Sequence, residues 1–385
     1  MSRIDDLIQE LCPDGVPTMS LGELLDYEQP GRYLVASTDY RDEYATPVLT
    51  AGQTFILGYT DEVEGVYSAN RESPVLIFDD FTTAFKWVDF PFKAKSSAMK
   101  MLTLRAGVPA LIRYIYFAMQ CIGFEPQDHA RHWIGKYSLF RIPVPPLEVQ
   151  CEIVRVLDKF TQLEVELEAE LEARRSQYEH YRAEFLTFRG EVPRRRLDEV
   201  AVYVNGKAHE KLVVDGAEIP LVTARFISRN GEANRYVPLE DVLTPGRSGD
   251  VALVLSDLPN GRALARTFFV DRDDSYAINQ RVARITVKDT AEMNPKFLHF
   301  VLDRNRGLLK HDNGVDQTHL SKGQVTGLEI PVPSIEEQDL IVEHLERFDA
   351  LVNDISIGLP AELTARRKQY EHYRDRLLTF KELKA

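Results

Sequence analysis

An internal repeat constrains this chain more than any other feature. Ile142-Pro-Val-Pro-Pro-Leu-Glu-Val-Gln150 returns as Ile330-Pro-Val-Pro-Ser-Ile-Glu-Glu-Gln338, an offset of 188 residues, and Ala173-Arg-Arg-Ser-Gln-Tyr-Glu-His-Tyr-Arg182 returns as Ala365-Arg-Arg-Lys-Gln-Tyr-Glu-His-Tyr-Arg374, an offset of 192. A weaker echo links Val16, Pro17 and Leu21 to Val192, Pro193 and Leu197. The 385 residues therefore divide into two tandem copies of one plan, each a globular region followed by a helical segment: 1–141, 142–190, 191–329 and 330–385.

The helical segments carry a readable period. Ile153, Leu157, Phe160, Leu167, Leu171, Tyr178, Tyr181, Phe185 and Phe188 follow alternating steps of four and three, with Glu164 and Arg174 as the polar occupants. That spacing is a coiled-coil seam about five heptads long. Ile341, Leu345, Phe348, Val352, Ile355 and Leu359 keep the rhythm in the second segment, and Leu363, Arg366, Tyr370, Tyr373, Leu377 and Phe380 resume it after two consecutive steps of four. This stutter equals the difference between the two offsets and lies beside Gly358 and Pro360, where a helix kinks or restarts. Two apolar seams of similar length most economically bury each other, and antiparallel pairing would separate the globular regions. A spacer or dimerisation coil explains the same pattern, and acids at Glu164, Glu166, Glu168, Glu170 and Glu172 decorate several helix faces and cannot be aimed at a phosphate backbone.

Composition limits the class. Hydrophobic residues at 44% and charged residues at 28% exclude a disordered or collagenous chain. No apolar run approaches the ~18–20 residues that cross a bilayer; Leu111 to Phe124 is short and contains Arg113. The first residues are acidic where a secretion signal is basic, and three scattered cysteines fit a reducing compartment, so the expected location is cytoplasmic. A net charge of −13 argues against non-specific coating of nucleic acid, but the excess acid concentrates in the helical segments and leaves room for local basic readers.

The globular regions read as mixed α/β. Strand signals are Pro47–Thr50, Thr54–Leu57, Val75–Phe78 and Met99–Leu104 in the first copy, and Ile219–Thr223, Asp250–Leu255, Thr267–Val270 and Arg281–Val287 in the second. A helical patch follows each set, Ala110–Gln120 and Pro295–Asn305.

This layout resembles the specificity subunit of type I restriction-modification systems. The markers are Pro145-Pro-Leu-Glu-Val-Gln150, Pro333-Ser-Ile-Glu-Glu-Gln338, the paired Arg-Arg…Tyr-Glu-His-Tyr-Arg ends, and Phe78-Asp-Asp-Phe-Thr-Thr-Ala-Phe-Lys-Trp with its continuation to Ser97. The resemblance implies an α+β fold with two tandem target-recognition domains, each reading half of a bipartite DNA sequence, separated by two long helices that pair as an antiparallel coiled coil. It also implies two modification (methyltransferase) subunits and restriction/translocase subunits as partners, double-stranded DNA as ligand, and no membrane. Ser334 in place of proline and the unequal helices depart from the pattern. Family members are similar in altering half-site spacing through four-residue helix insertions, and Pro360-Ala-Glu-Leu363 looks like one; four helical residues span about 6 Å.

Catalytic parts are not legible. Asn294-Pro295-Lys296-Phe297 lacks the second proline of an adenine-methyltransferase loop and reads better as a helix start. No phosphate-binding GxxxxGK[ST] loop occurs, Asp79-Asp80 with Lys86 lacks a nuclease arrangement and reads as an exposed loop, and His129 with His132 lacks a third metal ligand. No cofactor is expected in this chain, and S-adenosylmethionine, ATP and Mg2+ are assigned to the partners by the resemblance. Candidate DNA contacts in the first copy are Gln53, Thr54, Tyr59, Lys86, Lys93, Lys95 and Lys100; in the second they are Asn205, Lys207, Arg225, Arg229, Asn230, Asn279, Gln280, Arg281, Gln317, Thr318 and His319. Lys and Arg suit phosphates, and Arg, Asn and Gln suit base edges. Leu157, Phe160, Leu167, Leu171, Tyr178, Tyr181, Leu345, Phe348, Ile355, Tyr370 and Tyr373 are the candidates for helix pairing and partner binding. A coiled-coil scaffold that binds only proteins, and a self-contained restriction or methylation enzyme, are the competing readings.

Overall fold

The apolar runs fold as strands, and both copies arrange them in the same two sheets. A computed structural model describes residues 3–383 apart from 53, 127, 129, 189–191, 259–262, 313, 315 and 354–357, and divides into two units: Met1–Ala169 with Glu362–Ala385, and Glu170–Ala361. In unit 1 the strands of the two larger sheets are β1 (Leu25–Glu28), β2 (Thr46–Leu49), β3 (Ile56–Thr60), β4 (Val75–Asp79), β5 (Phe85–Val88), β6 (Lys93–Ala94) and β7 (Met99–Leu104). They form an antiparallel sheet in the order β1-β7-β4-β5 and a smaller one in the order β3-β2-β6, with β2 and β6 parallel.

Unit 2 repeats this order. The strands of its two larger sheets are β8 (Ala201–Asn205), β9 (Ile219–Val222), β10 (Tyr236–Val237), β11 (Val251–Val254), β12 (Thr267–Phe269), β13 (Ala277–Ile278) and β14 (Val282–Val287), in the orders β8-β14-β11-β12 and β10-β9-β13. The central strands are continuous apolar runs because both faces are covered. In β4, Leu76 and Phe78 enter a core with the following helix while Val75 and Ile77 enter a second core; in β11, Val251 and Leu253 divide from Ala252 and Val254 in the same way.

Each sheet is followed by a short helix, α1 (Ile112–Met119) in unit 1. The 39-residue α2 (Leu147–Phe185) comes next along the chain, then α3 (Pro295–Leu302), α4 (Ile335–Asn353) and α5 (Leu359–Leu377). The repeated Pro-x-Pro turn works through its final glutamine. Gln150 is fully buried; its Oε1 accepts from Leu111 N at 2.9 Å, and its Nε2 donates to Pro109 O at 3.0 Å and Pro145 O at 2.7 Å. Gln338 makes the same three bonds to Asn294 N, Glu292 O and Pro333 O. One side chain thus ties the start of a long helix to the start of the short one and satisfies backbone groups that a helix entry leaves unpaired. At α3, Asn294 Oδ1 caps Lys296 N and Phe297 N ahead of Pro295, so Asn294-Pro-Lys-Phe297 is a helix start.

The seams pair within each unit, and both pairings are antiparallel. In unit 1 Phe160 stacks on Tyr373 at 5.5 Å and meets Tyr370 at 6.4 Å, while Arg367 bonds Glu164 at 2.6 Å and Glu168 further along α2. In unit 2 Tyr181 meets Phe348 at 5.5 Å and Phe185 stacks on His344 at 5.6 Å. Leu157, Leu171, Tyr178 and Leu345 are buried and Leu167 is half-buried, whereas Tyr373 keeps an exposed edge. Ile355 lies outside the described residues. The stutter falls where α4 and α5 are separate helices, and Pro360 sits in the first turn of α5.

Candidate nucleic-acid interface

In unit 2 the turn from β13 to β14 is Asn279-Gln280-Arg281, and a second segment, Gln317-Thr318-His319, runs beside the end of β11. Leu255 joins them: its N–H donates to Arg281 O at 2.9 Å, and its carbonyl accepts from Leu320 N at 2.8 Å. The adjoining pairs Ser256–His319 and Asp257–Thr318 form a short antiparallel ladder. Ser256, Gln280, Arg281, Gln317 and His319 line a cavity of about 480 Å³. Four of these five residues are sequence candidates, from positions almost forty residues apart, and no carboxylate lies among them.

Gln317 Nε2 donates to Ser256 Oγ at 3.0 Å, and Gln280 Nε2 to Glu210 Oε1 at 3.2 Å, which orients both amides. Arg281 and His319 are exposed, and neither side chain has a hydrogen-bond or ion-pair partner among the described residues. Thr318 is held to Asp312 Oδ1 at 3.1 Å. Asn279 is buried; Oδ1 accepts from His209 N at 3.3 Å and Nδ2 donates to Glu210 at 2.9 Å. It shapes the turn and is not available to a ligand, which corrects its assignment as a contact. His209 is buried as well, with Nδ1–H donating to Lys207 O at 2.8 Å and Nε2 accepting from Leu243 N at 2.9 Å; burial holds its pKa below the ordinary imidazole value.

The other unit 2 candidates lie outside the cavity. Lys207 and Arg225 are exposed without side-chain partners among the described residues, Arg229 pairs with Glu232 at 3.7 Å, Asn230 ends its helix at φ 51°, and Asn205 accepts from Tyr203 OH at 2.5 Å. Ser256 is not among the sequence candidates; the signal that could have found it is its position at the exit of a buried central strand.

In unit 1 the proposed basic cluster does not survive as a surface. Lys93 is 4% exposed, with Nζ on Glu62 Oε2 at 2.5 Å and Glu64 O at 2.9 Å; Glu62 also accepts from Ala36 N and Ser37 N, and the Lys93 bond foremost holds its carboxyl below the ordinary range. Lys100 is 1% exposed, 3.1 Å from the equally buried Asp80 and 4.7 Å from the Tyr27 ring. A lysine buried and neutralised in this way cannot reach a phosphate, so both assignments are corrected. Asp80 is accordingly a core residue, and the exposed-loop reading of Asp79-Asp80 is also corrected. Lys95 remains exposed, with Nζ on Tyr40 OH at 3.0 Å; Lys86 on β5 and Tyr59 on β3 are half-buried, and Thr54 is exposed. Gln53 and His129 lie outside the described residues, while His132 is fully buried beside Phe124.

Residues 194–365 match the family model for the type I restriction modification DNA specificity domain. Over 401 aligned positions the chain is 38% identical to the specificity subunit of the EcoR124I/EcoR124II type I restriction enzyme of Escherichia coli, covering 99% of this chain and 97% of that one. The chain belongs to the type I restriction-modification specificity family. A putative family specificity subunit from Haemophilus influenzae is 27% identical over 345 residues, 85% of this chain and 86% of its own. The fold is similar to the crystal structure of an S subunit from M. genitalium, with a TM-score of 0.58 at 13% identity over 94% of this chain and 96% of that one.

Proposed function

We propose that this family member is the non-catalytic DNA-reading subunit of a type I restriction-modification assembly. Each unit reads one half of a bipartite, gapped duplex, and the helical segments hold two modification (methyltransferase) subunits and recruit restriction/translocase subunits. S-adenosylmethionine, ATP and Mg2+ chemistry then belongs to those partners, and base flipping to the methyltransferases. The observation that carries the reading is the duplicated fold with a carboxylate-free polar cavity at the turn leaving the small sheet, in a chain related over almost its whole length to a named specificity subunit. Amide and guanidinium groups of that kind suit base edges, and the cavity lies on the loops of a rigid strand scaffold. Acidic helices give the isolated chain little electrostatic help, so tight binding requires the partners.

The test is methylation mapping of a genome in cells that express this chain with modification subunits. The expected result is a gapped N6-methyladenine motif that vanishes when this chain is omitted. Methylation that persists without the chain, or a stable complex that produces no gapped motif, overturns the reading and favours a protein-binding scaffold.

A further inference from the structure

The backbone junction beneath the unit 2 cavity has a counterpart in unit 1. Asp80 N donates to Ala98 O at 3.1 Å, and Asp80 O accepts from His132 N at 2.9 Å; these bonds repeat those of Leu255 with Arg281 and Leu320. Strand pairing fixes the same correspondence independently, because Phe78 faces Lys100 and Asp79 faces Met99 as Leu253 faces Ala283 and Val254 faces Val282. The register carries Ser256 onto Phe81, Arg281 onto Ala98 and His319 onto Arg131. The last of these is the 188-residue offset of the Pro-x-Pro repeat.

Arg131 is exposed, and its guanidinium has no hydrogen-bond or ion-pair partner among the described residues. The segment that bears it is held on both sides. Upstream, Asp128 accepts from Ala130 N at 3.1 Å and Lys136 Nζ at 3.3 Å; downstream, Trp133 N donates to Asp80 Oδ1 at 2.8 Å next to the His132 bond. The bonds at His132 and Trp133 anchor the backbone next to Arg131, so the ordering cost on binding falls on its side chain alone. Its counterparts in register are Phe81, whose ring is exposed, and the small Ala98, and the lysine on the same segment, Lys136, is already paired with Asp128, so Arg131 stands as a single unpaired guanidinium and not as part of a basic track. An arginine so placed fits the O6 and N7 edge of guanine through two parallel bonds.

We propose that Arg131 reads a guanine in the half-site recognised by unit 1, in the place that His319 occupies in unit 2. The inference rests on the DNA-reading function proposed above. The test is methylation mapping with the assembled complex carrying R131A, R131Q or R131K, alongside R281A in unit 2, with melting curves to verify folding. Each Arg131 variant should relax one guanine position in one half of the motif by about 10- to 100-fold and leave the other half unchanged. R131K should keep overall affinity while losing that discrimination, because lysine retains the charge without the fork. R281A should affect only the other half. An unchanged motif overturns the proposal, and so does uniform weakening across all sequences with a reduced salt slope, which marks a phosphate contact. Methylation that persists when the wild-type chain is omitted defeats the function itself and is separable from either result.

Discussion

The two units build one backbone junction with opposite materials. In unit 1 it is packed by an ion pair, Asp80 with Lys100, both 1% exposed; in unit 2 the corresponding residues are Leu255 and Ala283, also buried. The strand order and the bonds at the junction are the same. The loops are therefore positioned by backbone pairing, and the buried side chains are free to differ as long as each set satisfies itself. The ion pair adds one constraint that the apolar pair lacks: Asp80 also accepts from Trp133 N, so the carboxylate links strand end and loop.

The largest expected effect comes from breaking that pair. Lys100→Ala leaves Asp80 buried without its cation and should cost about 3–5 kcal/mol in denaturant unfolding. Asp80→Leu with Lys100→Met gives unit 1 an apolar pair like that of unit 2 and should recover part of that loss, the remainder being the Trp133 N–H left without its acceptor. If the double variant is as unstable as the single one, the two materials are not interchangeable.

Where the units agree, equal losses are expected. Gln150→Ala and Gln338→Ala each remove the three hydrogen bonds of a fully buried side chain and should each destabilise by about 1–3 kcal/mol. A large inequality would show that the two helix entries, alike in geometry, are unlike in energy.

The smallest effect separates the units by pH. Burial holds His209 and His299 of unit 2 below the ordinary imidazole pKa, so the folded state prefers them neutral and their contribution is lost as pH falls below about 6.5. Glu62 of unit 1 is held low by Lys93, and its contribution is lost only as pH falls below about 4.3. Both tryptophans, Trp87 and Trp133, lie in unit 1. Between pH 7 and 5.5, far-ultraviolet circular dichroism should report a falling transition while tryptophan fluorescence does not; parallel shifts would refute the assignment.

The repeat, the strand runs and the helix seams were legible because each is a pattern along the chain. Val75–Phe78 and Met99–Leu104 declare themselves by apolarity. The fates of Lys93 and Lys100 were not legible, since their partners Glu62 and Asp80 come from other segments that only the fold brings near. Leu25–Glu28 was missed as a strand because two of its four residues are acids facing outward at a sheet edge. Gln280, Arg281, Gln317 and His319 were named as separate turns, and their convergence depends on the pairing of Leu255, an apolar residue that carries no chemical signal. Arg131 was recoverable from the 188-residue offset applied to His319.

Unit 1 is made of two stretches of chain, and unit 2 of the single stretch between them. The second stretch supplies Leu377, Leu378 and Phe380 to the core beneath α1, and its Lys381 and Leu383 bond the backbone of Val16. On the ribosome, where residues emerge at about 5–20 per second, unit 2 has all its residues before unit 1 receives its last. The half that is started first is thus the half that is finished last. Its core waits as an open seam while residues 170–361 are made, and loss of the stretch from Glu362 onward would spoil unit 1 while leaving every residue of unit 2 in place.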